Sequence, residues 1–222
     1  MERPAYPVKV PFYRQRHVRV GFACALVVTV LVSGSVMAYL YYNDNFPKRM
    51  SALEAKIIAD RMVRLNDVTL PLTGIEAIGW PKTGDLDERG RSTLWHFHYR
   101  GVDRDNNTSE EIVITVYAEG TPAISYHPGN ALNAHPVCEL RSPAIDSTTA
   151  YKIAIESAAV REYRARHSGE YLEGFGASYN PDYQRSIWVV VWRDEGSMDD
   201  PSHCSAVVDA SNGRILASLN LY

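Results

Sequence analysis

The sequence has few cysteines and lacks the short motifs that mark several common enzyme classes. Only three of its 222 residues are cysteine. It contains no Gly-x-Ser-x-Gly nucleophile motif, no glycine-rich phosphate loop and no calcium loop with EF-hand spacing. These absences argue against a serine hydrolase, a nucleotide-binding enzyme and an EF-hand protein. We expect a protein that is not an enzyme and needs no cofactor.

Basic residues are outnumbered by acidic residues beyond the N-terminus. The chain has 23 Lys and Arg and 26 Asp and Glu, of which five basic residues and one acid precede residue 20. The remainder, 18 basic and 25 acidic residues, carries a net charge near −7. An acidic domain is a poor match for a polyanion, so we predict no nucleic-acid partner.

One long stretch lacks charge altogether. Residues 20–42 read VGFACALVVTVLVSGSVMAYLYY. As a helix this stretch is about 34 Å long, enough to cross a hydrocarbon core of about 30 Å. The sequence therefore predicts a transmembrane helix over residues 20–42, after a basic cytoplasmic tail at residues 1–19. The alternative is a cleaved secretory signal, but the run exceeds the 7–15 apolar residues usual in such signals.

This topology predicts a location and a set of partners. The protein would be a single-pass protein of the inner membrane, with a cytoplasmic N-terminus and a periplasmic or extracellular C-terminal domain. Small residues recur at every fourth position of the stretch, at Gly21, Ala25, Thr29 and Ser33. Such a ridge lets two helices approach closely, although small residues are also common in membrane helices by chance. We expect the lipid bilayer and other transmembrane subunits of a membrane complex as partners.

Two cysteines lie beyond this stretch, Cys138 and Cys204. Thiols outside the cytoplasm are usually oxidised, so these two are candidates for a disulfide. The alternative is a pair of ordinary buried cysteines.

The rest of the chain divides into two similar parts. Residues 127–146 contain three prolines and little periodicity, which indicates a connector. Residues 43–126 and 147–222 each begin with a capped helix, at Ser51 and at Asp146 respectively. Four strand-like runs follow each helix, at 74–80, 93–100, 112–118 and 123–126 and at 172–179, 186–193, 205–210 and 214–219. We predict an α+β fold in which the transmembrane helix precedes two tandem units, each a helix on an antiparallel sheet.

The second unit resembles the PepSY domain. The resemblance rests on AYKIA at residues 150–154, IWVVV at residues 187–191 and AVVDASNGRIL at residues 206–216, and it covers residues 147–219. Residues 51–126 resemble the family weakly and lack its Asp-Ala-x-x-Gly turn. PepSY-like units occur in protease propeptides and in membrane-anchored extracytoplasmic proteins. The resemblance implies a non-catalytic binding or inhibitory module, with no catalytic residues to carry over.

Two histidines are the candidate metal ligands for a site on a strand. His96 and His98 alternate along a predicted strand, so both imidazoles leave the same face. A metal site would need a third or fourth ligand, and the sequence does not identify one. The alternative is a half-exposed strand whose polar residues are histidines, and we predict no metal site.

The predicted function is contact rather than catalysis. We expect a structural or accessory subunit of a larger membrane protein complex. The alternative is a PepSY-like regulator or inhibitor of an extracytoplasmic protease or cell-wall enzyme.

Overall fold

The computed structural model describes residues 48–78, 86–103, 108–130, 137–141, 143–167, 170–194 and 203–221. These ranges contain three helices and eight strands. The helices are α1 (Ala52–Leu65), α2 (Ser147–Ile155) and α3 (Ala158–Arg166). The strands are β1 (Leu72–Ile78), β2 (Leu94–Asp103), β3 (Thr108–Tyr117), β4 (Ala123–Asn130), β5 (Glu170–Asn180), β6 (Arg185–Asp194), β7 (His203–Asp209) and β8 (Ile215–Leu221).

All eight strands form one antiparallel sheet. Their order is β4-β3-β2-β1-β5-β6-β7-β8, so each half of the sheet is a meander of four consecutive strands. The halves join where β1 pairs with β5, with Glu76 opposite Gly176. The predicted arrangement of two tandem units is therefore wrong, because the first strands of the two halves hydrogen-bond to each other and close a single sheet.

The helices and the aromatic core lie on one face of this sheet. Burial alternates along the strands because successive side chains point to opposite faces. On the core face the largest fully buried side chains are Trp95, Trp188, Trp192, Tyr163, Phe97 and Phe175. Helix α1 presents its small residues Ala52, Ala55 and Ala59 to this layer. Small side chains let the helix lie close to the bulky rings beneath it.

The same tryptophan contact holds each half together. The Trp95 indole donates a hydrogen bond to the Met50 carbonyl at 2.9 Å, and the Trp188 indole donates to the Ile145 carbonyl at 3.1 Å. Each carbonyl belongs to the residue just before a helix N-cap. Each indole therefore fixes the start of a helix against the sheet, which shows that the two halves are structural repeats.

The starts of α1 and α2 contact each other. The Asp146 carboxylate accepts hydrogen bonds from the backbone of Leu53 at 3.0 Å and of Ser147 at 2.7 Å. The Ser147 hydroxyl accepts from the backbone of Ala52 at 3.0 Å. Free amides at a helix start need acceptors, and the helix dipole favours a negative charge there. A single carboxylate thus stabilises both helix starts.

The second half has two helices in place of the one long helix suggested by its sequence. Helix α2 ends at Ile155, and the Ser157 hydroxyl then accepts a hydrogen bond from the Val160 backbone to begin α3. Serine competes well as a cap and poorly as an interior helix residue. The break turns α3 toward β7 and β8.

The described part of the structure does not contain the predicted membrane anchor. No helix among the described residues is both long and apolar enough to span a membrane. The predicted helix at residues 20–42 lies outside those residues, as does the ridge of Gly21, Ala25, Thr29 and Ser33. The described residues therefore include no membrane-spanning helix on which the predicted single-pass inner-membrane location could rest.

Candidate functional site

The face of the sheet opposite the helices is the candidate site, and we call it the open face. No helix of the described ranges packs on it. In the first half its side chains are mainly polar and include Glu76, His96, His98, Arg100, Glu111 and Thr115. In the second half they are mainly small or aliphatic and include Gly174, Gly176, Val189, Val191, Val207, Ala217 and Leu219.

His98 is the centre of a polar network in the first half. Its Nε2 lies 3.0 Å from Glu76 Oε1, and its Nδ1 lies 2.8 Å from Glu111 Oε1. The guanidinium of Arg100 donates to the same Glu111 oxygen at 2.8 Å. A neutral imidazole has one N–H, so hydrogen bonds to two carboxylates favour the protonated ring. The network joins β1, β2 and β3 across the open face.

The charges of this network shift its pKa values. Burial opposes the charge on His98, but the carboxylates of Glu76 and Glu111 outweigh it and raise the pKa of the imidazole. The hydrogen bond from His98 lowers the pKa of Glu76, despite the opposing effect of burial. Burial likewise works against the charge of Glu111, but hydrogen bonds from His98 and Arg100 lower its pKa.

His96 has a different environment. Its Nδ1 lies 2.9 Å from the hydroxyl of Thr115, and burial lowers the pKa of its ring. The two histidine rings are 6.5 Å apart between centroids. No group of three or more His, Cys, Asp or Glu side chains in the described ranges is placed to hold a metal ion. Both nitrogens of His98 already face carboxylates, so the structure identifies no further ligand for this pair.

A trough runs along the seam between β1 and β5. Gly74, Gly174 and Gly176 lie on the open face there, and a Cβ added at Gly174 would meet no atom within 4 Å. The trough encloses about 320 Å³, with the Glu76–His98 pair on one side and Val189 on the other. Glycines thus leave an empty channel where the two repeats meet.

A larger cleft continues the trough at one end of the sheet. It encloses about 570 Å³ and shares Thr73, Arg100 and Ser178 with the trough. Val137 and Cys138 of the connector border it. The connector is held there by a hydrogen bond from the Leu140 backbone to the Leu72 carbonyl at 2.7 Å.

Aliphatic side chains form a patch on the second half of the open face. Val189, Val207 and Ala217 lie in one row across β6, β7 and β8, and Val191 and Leu219 flank Ser205 in the next row. We call Val189, Val191, Val207, Ala217 and Leu219 the aliphatic patch. The first four are half-buried, and Leu219 is 53 % exposed.

The Asp-Ala-x-x-Gly turn, on which the family resemblance depends most, is structural. Asp209 is fully buried and accepts hydrogen bonds from the Ser211 backbone at 2.9 Å, the Ser211 hydroxyl at 2.6 Å and Arg185 at 2.7 Å. Burial opposes its charge, but these donors outweigh burial and lower its pKa to about 2. Gly213 has a φ of 78°, and a Cβ there would lie 2.7 Å from Ile153. The turn therefore fixes β7 and β8 against α2.

Both candidate disulfide cysteines are free thiols in this structure. Cys138 lies in the connector beside β1, while Cys204 lies in β7 opposite Trp192. Strands are about 4.8 Å apart, so the three strand spacings from β1 to β7 amount to about 14 Å, whereas a disulfide needs Cα atoms within about 7 Å. Cys204 is fully buried, and burial raises the pKa of its thiol to about 11.

Fold and site together define an α+β protein with one helix-covered sheet face and one open face. No family model and no curated protein matches the chain. A crystal structure of a protein from Clostridium difficile 630, described as a candidate lipoprotein, is similar to it with a TM-score of 0.43 and 11 % identity. That match covers 73 % of this chain and 90 % of the other. At this TM-score the likeness carries no conclusion about fold or activity.

Proposed function

We propose that this chain is a non-catalytic binding module that acts as an accessory subunit of a larger protein assembly. A partner protein docks on the open face. The aliphatic patch is the observation that carries this proposal, because it holds five aliphatic side chains in adjacent rows at the surface. Covering such surface removes apolar area from water, which favours association.

The chemistry of the partner follows from the borders of the patch. The seam trough separates the patch from Glu76, whose side chain is 45 % exposed. A partner surface with apolar side chains opposite the patch and a basic side chain opposite Glu76 would complement both. The partner would thus span the two repeats.

The contacts made by the ionisable groups support a non-catalytic role. The side chain of Asp209 is occupied by Ser211 and Arg185. The ring nitrogens of His98 are occupied by two carboxylates. Groups with shifted pKa values are candidates for catalysis, but structural networks shift pKa values too. Asp209, His98, Glu76 and Glu111 are each paired in a way that holds strands or a turn together.

A second candidate is a PepSY-like regulator or inhibitor of a protease or another enzyme. The buried Asp209 turn favours it, since this is the segment in which the resemblance to that family is strongest. In this role the docked partner would be the enzyme itself.

The experiment compares two equivalent valine substitutions on the open face. Val207→Glu places a charge in the aliphatic patch, whereas Val113→Glu places it on β3 in the polar half. Both valines are half-buried, so the two variants are matched in residue and burial. Tagged full-length chains are purified from native cells at native abundance, and the stoichiometric companion is quantified by mass spectrometry.

We expect the companion to be retained by the wild type and by Val113→Glu. Its recovery should fall about tenfold or more with Val207→Glu, the change expected when a central apolar contact becomes a buried charge. Retention by Val207→Glu, at an unchanged melting temperature, would contradict docking on the patch. Adding the purified chain to the purified companion separates the two candidates, since only a regulator changes an enzymatic rate.

A further inference from the structure

The two edges of the sheet differ in their protection. An edge strand exposes unpaired backbone donors and acceptors, which pair readily with another strand. Strand β4 reads AISYHPGN, and Pro128 removes one donor from that edge. Strand β8 reads ILASLNL and has no charged residue, no proline and no glycine. Among the described residues no strand pairs with its outer edge.

We propose that β8 pairs antiparallel with β8 of a second copy of this chain, which joins two sheets into one. The regular part of the strand fixes the register. The ladder between β7 and β8 is irregular at Val207 and Val208 and is regular from Ala217 to the end of the strand. The centre of that regular segment is Leu219, which therefore lies on the two-fold axis.

The sequence of β8 is complementary to itself in this register. Leu219 lies opposite Leu219 of the partner copy, Ala217 lies opposite Leu221, and Ser218 lies opposite Asn220. Apolar residues thus meet apolar residues and polar residues meet polar residues, and no two charges are opposed. The 53 % exposed side chain of Leu219 is covered by Leu219 of the partner copy. This match favours a second copy over a strand of a different protein.

The dimer is independent of partner docking. Strand pairing uses the outer edge of β8 and covers only Leu219 of the aliphatic patch, so the rest of the open face of both copies stays uncovered. The aliphatic patches of the two copies become neighbours across the axis. Val207 lies on β7, one strand inside the edge, so a charge there affects the patch without entering the new strand pair.

The test is a charge exchange at Leu219, measured by sedimentation of the purified full-length chain over a dilution series. Leu219→Lys or Leu219→Glu alone places like charges directly opposite each other, and the dimer Kd should rise about tenfold or more. An equimolar mixture of the two variants places opposite charges together and should restore the dimer. Tyr126→Lys is the matched control, because Tyr126 is 55 % exposed on the other edge strand and should leave the dimer unchanged.

Three results would overturn the proposal. The wild type could sediment as a monomer at every concentration, which would leave the edge to a strand of another protein. The single Leu219 variants could remain dimeric, or Tyr126→Lys could dissociate the dimer instead. Val207→Glu, which tests partner docking, should remain a dimer, so the failure of one proposal is distinguishable from the failure of the other.

Discussion

The two halves of the sheet share one architecture and differ on the open face. Each half has a tryptophan whose indole binds the carbonyl ahead of its helix, Trp95 in the first and Trp188 in the second. On the open face, the first half carries the His98 network and the second carries the aliphatic patch. The core face determines whether the chain folds, whereas the open face is free to differ. The difference therefore marks where function lies.

The two halves of the open face also differ in how their side chains are stabilised. In the first half the polar groups satisfy one another within the sheet, as the contacts of His98 with Glu76 and Glu111 show. In the second half the aliphatic side chains cannot form hydrogen bonds or ion pairs with one another, and only burial removes them from water. This asymmetry is why we assign docking to the second half.

The largest expected effect tests whether the repeats are equivalent. Trp95→Ala and Trp188→Ala should each lower the free energy of unfolding by about 3–5 kcal/mol, because each removes a fully buried ring and its hydrogen bond. Urea denaturation measures the change. Tyr126→Ala, at an exposed position, should change it by about 0.5 kcal/mol or less. A large loss for one tryptophan and a small loss for the other would contradict the equivalence.

The next effect should appear only in the second half. Asp209→Asn should cost about 2 kcal/mol, because the neutral amide loses the charge-assisted bonds to Arg185 and Ser211. In the wild type, the stability that the Asp209 carboxylate contributes should depend on pH. The folded pKa of about 2 lies below the ordinary 3.8, so this stability is present above pH 3.8 and is lost as the pH falls toward 2. Acid titration followed by circular dichroism measures it, and an unchanged acid midpoint in Asp209→Asn would contradict the assignment.

The smallest effect separates the two histidines of the first half. The raised pKa of His98 means that its stabilisation is complete below pH 6.5 and is lost as the pH rises through the folded value. The lowered pKa of His96 has the opposite sign, since its stability is present above pH 6.5 and falls with acidification. Each effect should be about 1 kcal/mol or less, because both rings are half-buried and Glu76, the partner of His98, is partly exposed.

Denaturation of His98→Gln and His96→Gln between pH 5 and 8 should therefore change the pH slope in opposite directions. The neutral glutamine cannot titrate, so each variant removes the contribution of one ring. Slopes that change in the same direction would show that the two rings do not differ in the way that the structure indicates. Lowered pH should weaken the contribution of Glu76 as well, since its stabilisation is present above pH 4.5 and is lost below it.

The open face could be anticipated only in part. Alternation along β2 predicts that His96 and His98 share a face, and the structure places them there. It gives no sign that Glu76 and Glu111 would enclose His98, because they are 22 and 13 residues away along the chain. The apolar run at residues 187–191 predicts a strand but not which of its valines would remain at the surface. The spacing of Cys138 and Cys204 was not predictable for the same reason, since the separation of β1 from β7 depends on strand order.

The local elements of this protein are predictable from short-range signals in its sequence. The capping residues Ser51 and Asp146 start the first helix of each half, and each of the eight strand-like runs overlaps one strand of the sheet. These signals depend on neighbours a few residues apart. The folded sheet was needed to show that β1 pairs with β5, that Glu76 and Glu111 enclose His98, and that the patch and the β8 edge are left exposed. Those outcomes depend on hydrogen bonds between distant segments, whose register is set by packing of the whole sheet.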